Sequence, residues 1–221
     1  MHVSPSLDRA TTALSEPTPA ASGAERLLQR QVKKFKVLAL TDDVTRTPNR
    51  LAFRPMYHMR LRQFSARGRR FALALGDLNE FGRFNKSWGW VAGNGALQAY
   101  ALGVSRLLRT DCDGVFRMHG DEFAFVLDLD NQAALDRVLE RLAGPFPLRI
   151  RGRRALVSAT VVGLLVRKRD TEKLFASVDR RLRRAKSGLQ LCPQSATRHT
   201  ERHDEPGRSV RRNVNQESTR E

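Results

Sequence analysis

The sequence predicts an α+β fold of ferredoxin-like type: an antiparallel sheet covered on one face by helices, with its other face and its loops free for a site. Three observations predict it. Apolar periodicity runs in the order strand, helix, strand, strand, helix, strand pair, helix. A short continuous apolar run, FALAL at 71–75, stops at Gly76 and Asp77. RMHGDEFAF at 117–125 sets a glycine and two acids between apolar stretches, the pattern of a hairpin turn. The chain of 221 residues, 40% hydrophobic, is long enough for one domain with a core plus tails.

Taken in order, residues 1–23 are small, polar and proline-containing, with no basic stretch leading into an apolar one, so they read as a disordered segment and not as a leader. Residues 24–40 space Leu28, Val32, Phe35 and Ala39 as a helical stripe, either a short dimer-forming stalk or a helix on the core. After the X-Pro turn in TDDVTRTPNR, a second helix resumes at LAFRPMYHMRLRQFSARG with Pro55 near its start. FALAL is a buried strand. Leu97, Ala101, Val104 and Leu108 share one face of a helix over 91–108. VFRM and FAFVLDL flank the acidic turn, and Leu135, Val138, Leu139 and Leu142 mark a helix over 131–142. FPLRIRGRRALVSATVVGLLV reads as a second hairpin turning at Gly152. The last helix runs from about Thr171 to Lys186, with Leu174, Phe175, Val178, Leu182 and Ala185 inward and Gly188 as its stop. The tail at 191–221 is polar and reads as disordered.

The formal charge of +17 is not spread evenly: residues 24–190 hold 33 basic and 16 acidic side chains. A domain that basic attracts polyanions, whether nucleotides, nucleic acid or an acidic lipid surface. Cys112 and Cys192 have no CxxC spacing, which suits a reducing cytoplasm. The longest strongly apolar stretch, VVGLLV at 161–166, excludes a membrane-spanning helix.

Two acids at a hairpin tip have a plain reading, a solvated turn, and a sharper one, a hard-cation site. A helix separates Asp77 from Asp121 in sequence, yet the topology makes their strands neighbours. Asp77 and Asp121 then converge on one metal with Glu122 beside them, the geometry of metal-assisted phosphoryl transfer.

Over roughly 37–190 the chain resembles the GGDEF domains, which make or sense cyclic di-GMP. DDVTRTPNR (42–50) is similar to the family's entry motif, GDLNEFGRFNKSWGWVAGNGAL (76–97) to its metal and guanine segment, RMHGDEF to its signature, VSATVVG (157–163) to its last core strand and DRRLRRAKSG (179–188) to its final helix. The resemblance implies a palm-type fold over 41–190 and a reaction in which a dimer joins two GTP molecules with Mg2+ or Mn2+, releasing pyrophosphate. It implies metal ligation by Asp77 and Asp121, catalysis by those two with Glu122, base contacts from Asn85 and Asn94, backbone approach at Gly120 and phosphate contact by Lys186.

The departures from the family's pattern have physical content. His119 replaces the first signature glycine and crowds the nucleotide; Asn94 replaces the acid that accepts from guanine, bringing an acceptor without charge. Asn79, Gly82, Lys86, Trp90, Arg181, Arg183 and Gln190 stand at other substituted positions. The arginine of the product-inhibition motif is replaced by Thr110, with Asp113 kept and Arg109 displaced by one, which argues against tight feedback binding. Against the cyclase stands a degenerate domain that binds nucleotide as a regulatory module, answering to an unidentified partner. A nucleic-acid-binding palm ranks third, because Phe116, Phe123 and Phe125 read as core and not as a stacking face.

Overall fold

The computed structural model describes residues 23–109, 112–167 and 173–191. The expectations for both tails, for Thr110 and Thr171, and for the side chain of Gln190 fall outside the described residues. Helices α1 (Gly23–Leu40) and α2 (Arg50–Arg67) lead into β1 (Ala72–Leu78), followed by α3 (Phe81–Trp88) and α4 (Trp90–Leu107). Then come β2 (Gly114–His119), β3 (Glu122–Leu127), α5 (Gln132–Ala143), β4 (Phe146–Ile150), β5 (Arg153–Val157), β6 (Ala159–Leu165) and α6 (Leu174–Leu191).

Four strands form an antiparallel sheet in the order β2-β3-β1-β6, while β4 and β5 pair by themselves. The fold is the expected α+β one, but helices cover both faces of the sheet. On one face Ala72, Ala74, Phe123, Phe125 and Leu127 pack against α4 and α5. On the other, Leu73, Leu75, Phe116, Ala124 and Val126 pack against α2 and α6. The continuous apolar run of β1, with no polar alternation before Asp77, is the signature of a strand buried on two sides. No sheet face is left for a ligand, so a site has to lie at the strand ends.

Other expectations shift by local causes. β1 does not stop at Gly76 but carries Asp77 and Leu78 within the ladder, Asp77 facing Glu122 on β3 and Thr160 on β6. The residues after Arg153 make two strands: β5 ends the hairpin at Val157, and β6 begins after Ser158 in the main sheet. Gly188 does not stop α6, which runs through it. The helix docks by Leu174, Val178 and Leu182, leaving Arg181 and Arg183 in solvent. Pro55 lies in the second turn of α2, where it has no N–H to donate to the carbonyl of Leu51, itself an exposed residue.

Helix α1 buries none of its residues; Leu28, Val32 and Phe35 are 39–65% exposed, which rules out the core-helix reading. It is joined to α2 by Asn49. The Asn49 side chain donates to the carbonyl of Ala39 (2.8 Å) and caps α2 by accepting from the amides of Leu51 (2.9 Å) and Ala52 (3.2 Å). Among the described residues no helix is long and apolar enough to cross a membrane.

Candidate active site

Asp77 leaves the sheet on the face of β1 covered by α2 and α6. From α6, the Lys186 ammonium reaches across to ion-pair with Asp77 and donates to the carbonyl of Leu78 at 3.0 Å. Asp121 sits in the β2–β3 turn, its carbonyl accepting from the Leu78 amide at 3.3 Å. Burial pushes the Asp121 carboxyl above its ordinary range, and the charge of Asp77 pushes it further; Lys186 and Arg117 offset part of this. The structure thus brings Asp77, Asp121 and Lys186 together.

Glu122 forms no three-carboxylate cluster with them. Among the described residues no three His, Cys, Asp or Glu side chains are arranged to hold one metal ion. Glu122 opens β3 directly opposite Asp77 and is exposed, lining a groove of about 480 Å³ with His119, Arg50 and Arg54. Two carboxylates and the Leu78 carbonyl remain, an all-oxygen set of the kind that holds Mg2+ when substrate phosphates and water complete the shell. The ammonium on Asp77 and Leu78 shows that the spot already attracts a cation.

The amides assigned to the base lie on α3 and α4. No apolar period in the sequence announces α3, a helix of only eight residues that contains Gly82 and ends at Gly89. Gly89, at φ +82°, terminates α3 and starts α4. This turn folds Asn85 onto Gly93, where an added Cβ would meet the Asn85 Oδ1 at 1.8 Å. That oxygen is buried without a hydrogen-bond partner. Asn94 follows Gly93 and is exposed. Gly120, at φ +54°, has open space where a Cβ would stand, so backbone there is open to close approach.

Asn79, which replaces an acid of the family pattern, has a structural task. It accepts from Thr160 Oγ1 (2.7 Å) and donates to Ser158 Oγ (3.0 Å), tying the end of β1 to β6. A carboxylate cannot make that donation.

Sequence reasoning missed one polar element, the Arg117 clamp. Arg117 donates to both oxygens of Asp42 (2.9 and 3.1 Å) and, through Nε and Nη2, to the Gly120 carbonyl (2.9 and 2.7 Å). Burial alone would raise the Asp42 carboxyl, but hydrogen bonds from Thr45 and Arg117, with the Arg117 charge, hold it below its ordinary range. The clamp binds the entry motif to the acidic turn. Both residues were visible inside the two motifs, but nothing in their spacing paired them. At the displaced inhibition motif, buried Asp113 is already engaged by Arg109 and by the Asp128 amide (2.8 Å). Phe116, Phe123 and Phe125 are all buried and offer no stacking face.

This arrangement defines the class: a palm-type α+β domain with coupled carboxylates at the end of its central strands. The family model described as "Diguanylate cyclase, GGDEF domain" matches residues 39–190, and the chain belongs to this family. It is 33% identical over 104 residues to the diguanylate cyclase DgcP of Pseudomonas aeruginosa, covering 47% of this chain and 15% of that protein. It is 31% identical over 143 residues to the cyclic di-GMP phosphodiesterase NbdA of the same organism, covering 63% and 18%. The chain therefore spans less than a fifth of the length of these relatives. Among solved structures, the GGDEF domain of TpbB (YfiN) from P. aeruginosa superposes with a TM-score of 0.62 at 26% identity, covering 67% of this chain and 89% of that one. The coiled coil and GGDEF domain of DgcB from Caulobacter crescentus shares the fold, with a TM-score of 0.67 at 19% identity over 74% and 88%.

Proposed function

We propose that this domain binds GTP with Mg2+ or Mn2+ and, as a dimer, condenses two GTP molecules into cyclic di-GMP and pyrophosphate. The observation that carries the reading is the coupled pair Asp77 and Asp121 under the Lys186 ammonium, at the strand end from which α3 hangs Asn85. Asp77, Asp121 and the Leu78 carbonyl would hold the metal, which when bound supplies positive charge at the α-phosphate and acidifies the attacking hydroxyl.

The chain's own residues do the remaining work. Lys186 exchanges Asp77 for phosphate oxygens. Asn85 and Asn94 take the edge of the guanine, and a base amine donating to Asn85 Oδ1 relieves an unpaired buried acceptor that costs about 1–3 kcal/mol. Gly120 lets backbone lie against the nucleotide. Glu122, across from Asp77, takes the proton of the 3′-hydroxyl as its oxygen bonds to the α-phosphorus of the other GTP and the bond to pyrophosphate breaks. One GTP sits on each copy, so two copies have to meet, and the exposed Leu28, Val32 and Phe35 of α1 at coiled-coil spacing support a paired-helix dimer. The same helix is where a regulatory partner would act.

A second reading, a nucleotide-binding module without turnover, draws on the neutral Asn94, which offers guanine no charge-assisted bond. Incubating the protein with GTP and Mg2+ or Mn2+, then separating the nucleotides by chromatography, distinguishes them. Cyclic di-GMP that vanishes in Asp121→Ala supports the cyclase. GTP binding without product supports the module, and absence of GTP binding sinks both.

A further inference from the structure

We propose that the β4–β5 hairpin binds the phosphodiester backbone of duplex nucleic acid through Arg149, Arg151, Arg153 and Arg154. This surface is separate from the strand-end site: β4 and β5 form their own two-stranded sheet, seated on α4 by Phe146 against Gly103. All four arginines are exposed, and among the described residues none has a carboxylate partner.

Two features of the hairpin work against its own stability. Arg149 faces Arg154 in the strand register, a like-charge pair with Cβ atoms about 5 Å apart that repels in the free protein. Arg151 holds φ +48° at the first position of a two-residue turn, with Gly152 at +80° beside it. Asn, Asp or Gly suits that left-handed position, and Arg is strained there. A polyanion that neutralises the cluster removes the repulsion, while the strained turn holds the Arg151 side chain at the tip.

Phosphate is the chemistry that guanidinium forks match, in nucleic acid and lipid headgroups alike. The shape favours nucleic acid. A two-stranded ribbon fits a duplex major groove about 12 Å wide. The tip has no apolar residue to enter a bilayer: Ile150 is buried, and the exposed Leu156 lies two residues behind Arg154.

The test is fluorescence anisotropy of a labelled 20-bp DNA duplex titrated with full-length protein at several NaCl concentrations. Two variants each remove four charges: Arg149→Ser/Arg151→Ser/Arg153→Ser/Arg154→Ser on the hairpin and Arg26→Ser/Arg30→Ser/Lys33→Ser/Lys34→Ser on α1. The wild type should bind with affinity falling steeply in salt. The hairpin variant should flatten the slope of log affinity against log salt by about 3–4, at about 0.9 for each phosphate no longer neutralised, and the α1 variant should leave it unchanged. Arg151→Asn should flatten it by about 1 while keeping the turn, which guards against a hairpin that fails to form. Equal losses in both quadruple variants would mean diffuse net charge and overturn the proposal. So would binding by the hairpin to phosphatidylserine vesicles without binding to DNA, or no binding of DNA at all.

Discussion

Replacing Gly93 by alanine separates the stability of the fold from recognition of the base. The new Cβ would stand 1.8 Å from Asn85 Oδ1 and 2.9 Å from its Cγ, far inside contact distance. Both atoms belong to the end of a short side chain, so Asn85 rotates away and the backbone stays. Three consequences follow for stability. Alanine in place of glycine within α4 contributes about 0.5–1 kcal/mol. Asn85 Oδ1, buried and unpartnered in the native protein, reaches water, which removes a desolvation cost. The off-rotamer cost of the swing, about 0.5–1.5 kcal/mol, opposes both. The net change should fall between zero and about 3.5 kcal/mol of stabilisation, so Tm should not drop and should rise by about 2–4 °C for each kcal/mol gained in a domain of this size. Recognition moves the other way. Removing one hydrogen bond to the base, worth about 1.4 kcal/mol, weakens GTP binding about tenfold. Calorimetric titration with GTP beside a thermal melt checks both. Unchanged GTP affinity in a variant that melts at or above the wild-type temperature would refute the placement of the base against Asn85.

Further predictions concern the carboxylates and the clamp. Asp121 has a folded pKa raised above its unfolded value by burial and by Asp77, so the stability linked to its protonation is present in acid and is lost as pH rises through the folded pKa. Asp121→Asn should therefore stabilise the domain at neutral pH by about 0.5–2 kcal/mol, seen as a higher Tm, and lose that advantage below the unfolded carboxylate range; a pH series of melts reads it. Mg2+ at about a hundred times its Kd should stabilise the wild type by about 2.7 kcal/mol and Asp121→Asn by much less. Lys186→Met removes the ammonium from Asp77, so Mn2+ binding without nucleotide, followed by paramagnetic resonance, should tighten several-fold while GTP binding weakens. Arg117→Ala strands Asp42 and the Gly120 carbonyl, in a clamp whose ion-paired side chains are only 13% and 17% exposed, and should cost about 2–4 kcal/mol in denaturant unfolding. Adding Asp42→Ala should recover part of that loss.

Much of the fold was legible because its signals are periodic. The stripes of α2, α4, α5 and α6 and the run of β1 are read off the chain, and the glycine and acids at 120–122 mark the turn. What was not legible depends on partners distant in sequence. The apolar continuity of 71–75 did announce a strand buried on both faces, but the fold-class analogy favoured an open face; composition was the better guide. The start of β6 was hidden because Val157 and Ala159 continue one apolar pattern across Ser158, and only pairing with β1 separates the strands. Asp77, Asp121 and Lys186 were found through motif order, whereas the joining of Arg117 to Asp42, 75 residues apart, leaves no local trace. Asn79 looked like a lost acid and is a tie between strands.

The joint at Asn49 makes two helices behave as one lever. A chain that leaves one helix and enters another through eight or nine residues ordinarily has a compliant elbow, whose angle the surrounding loop cannot hold. Here one side chain grips the last turn of α1 with its nitrogen and the first turn of α2 with its oxygen, while the Asn49 amide donates to Leu40 at 2.9 Å. Bending the elbow breaks several hydrogen bonds at about 0.5–1.5 kcal/mol each, so the stiff mode is cheaper. A twist applied at the far end of α1 is therefore not absorbed at residues 41–49 but delivered to α2, and the Pro48 carbonyl, bonded to the Arg117 amide at 2.9 Å, passes it to the strand that carries the acidic turn.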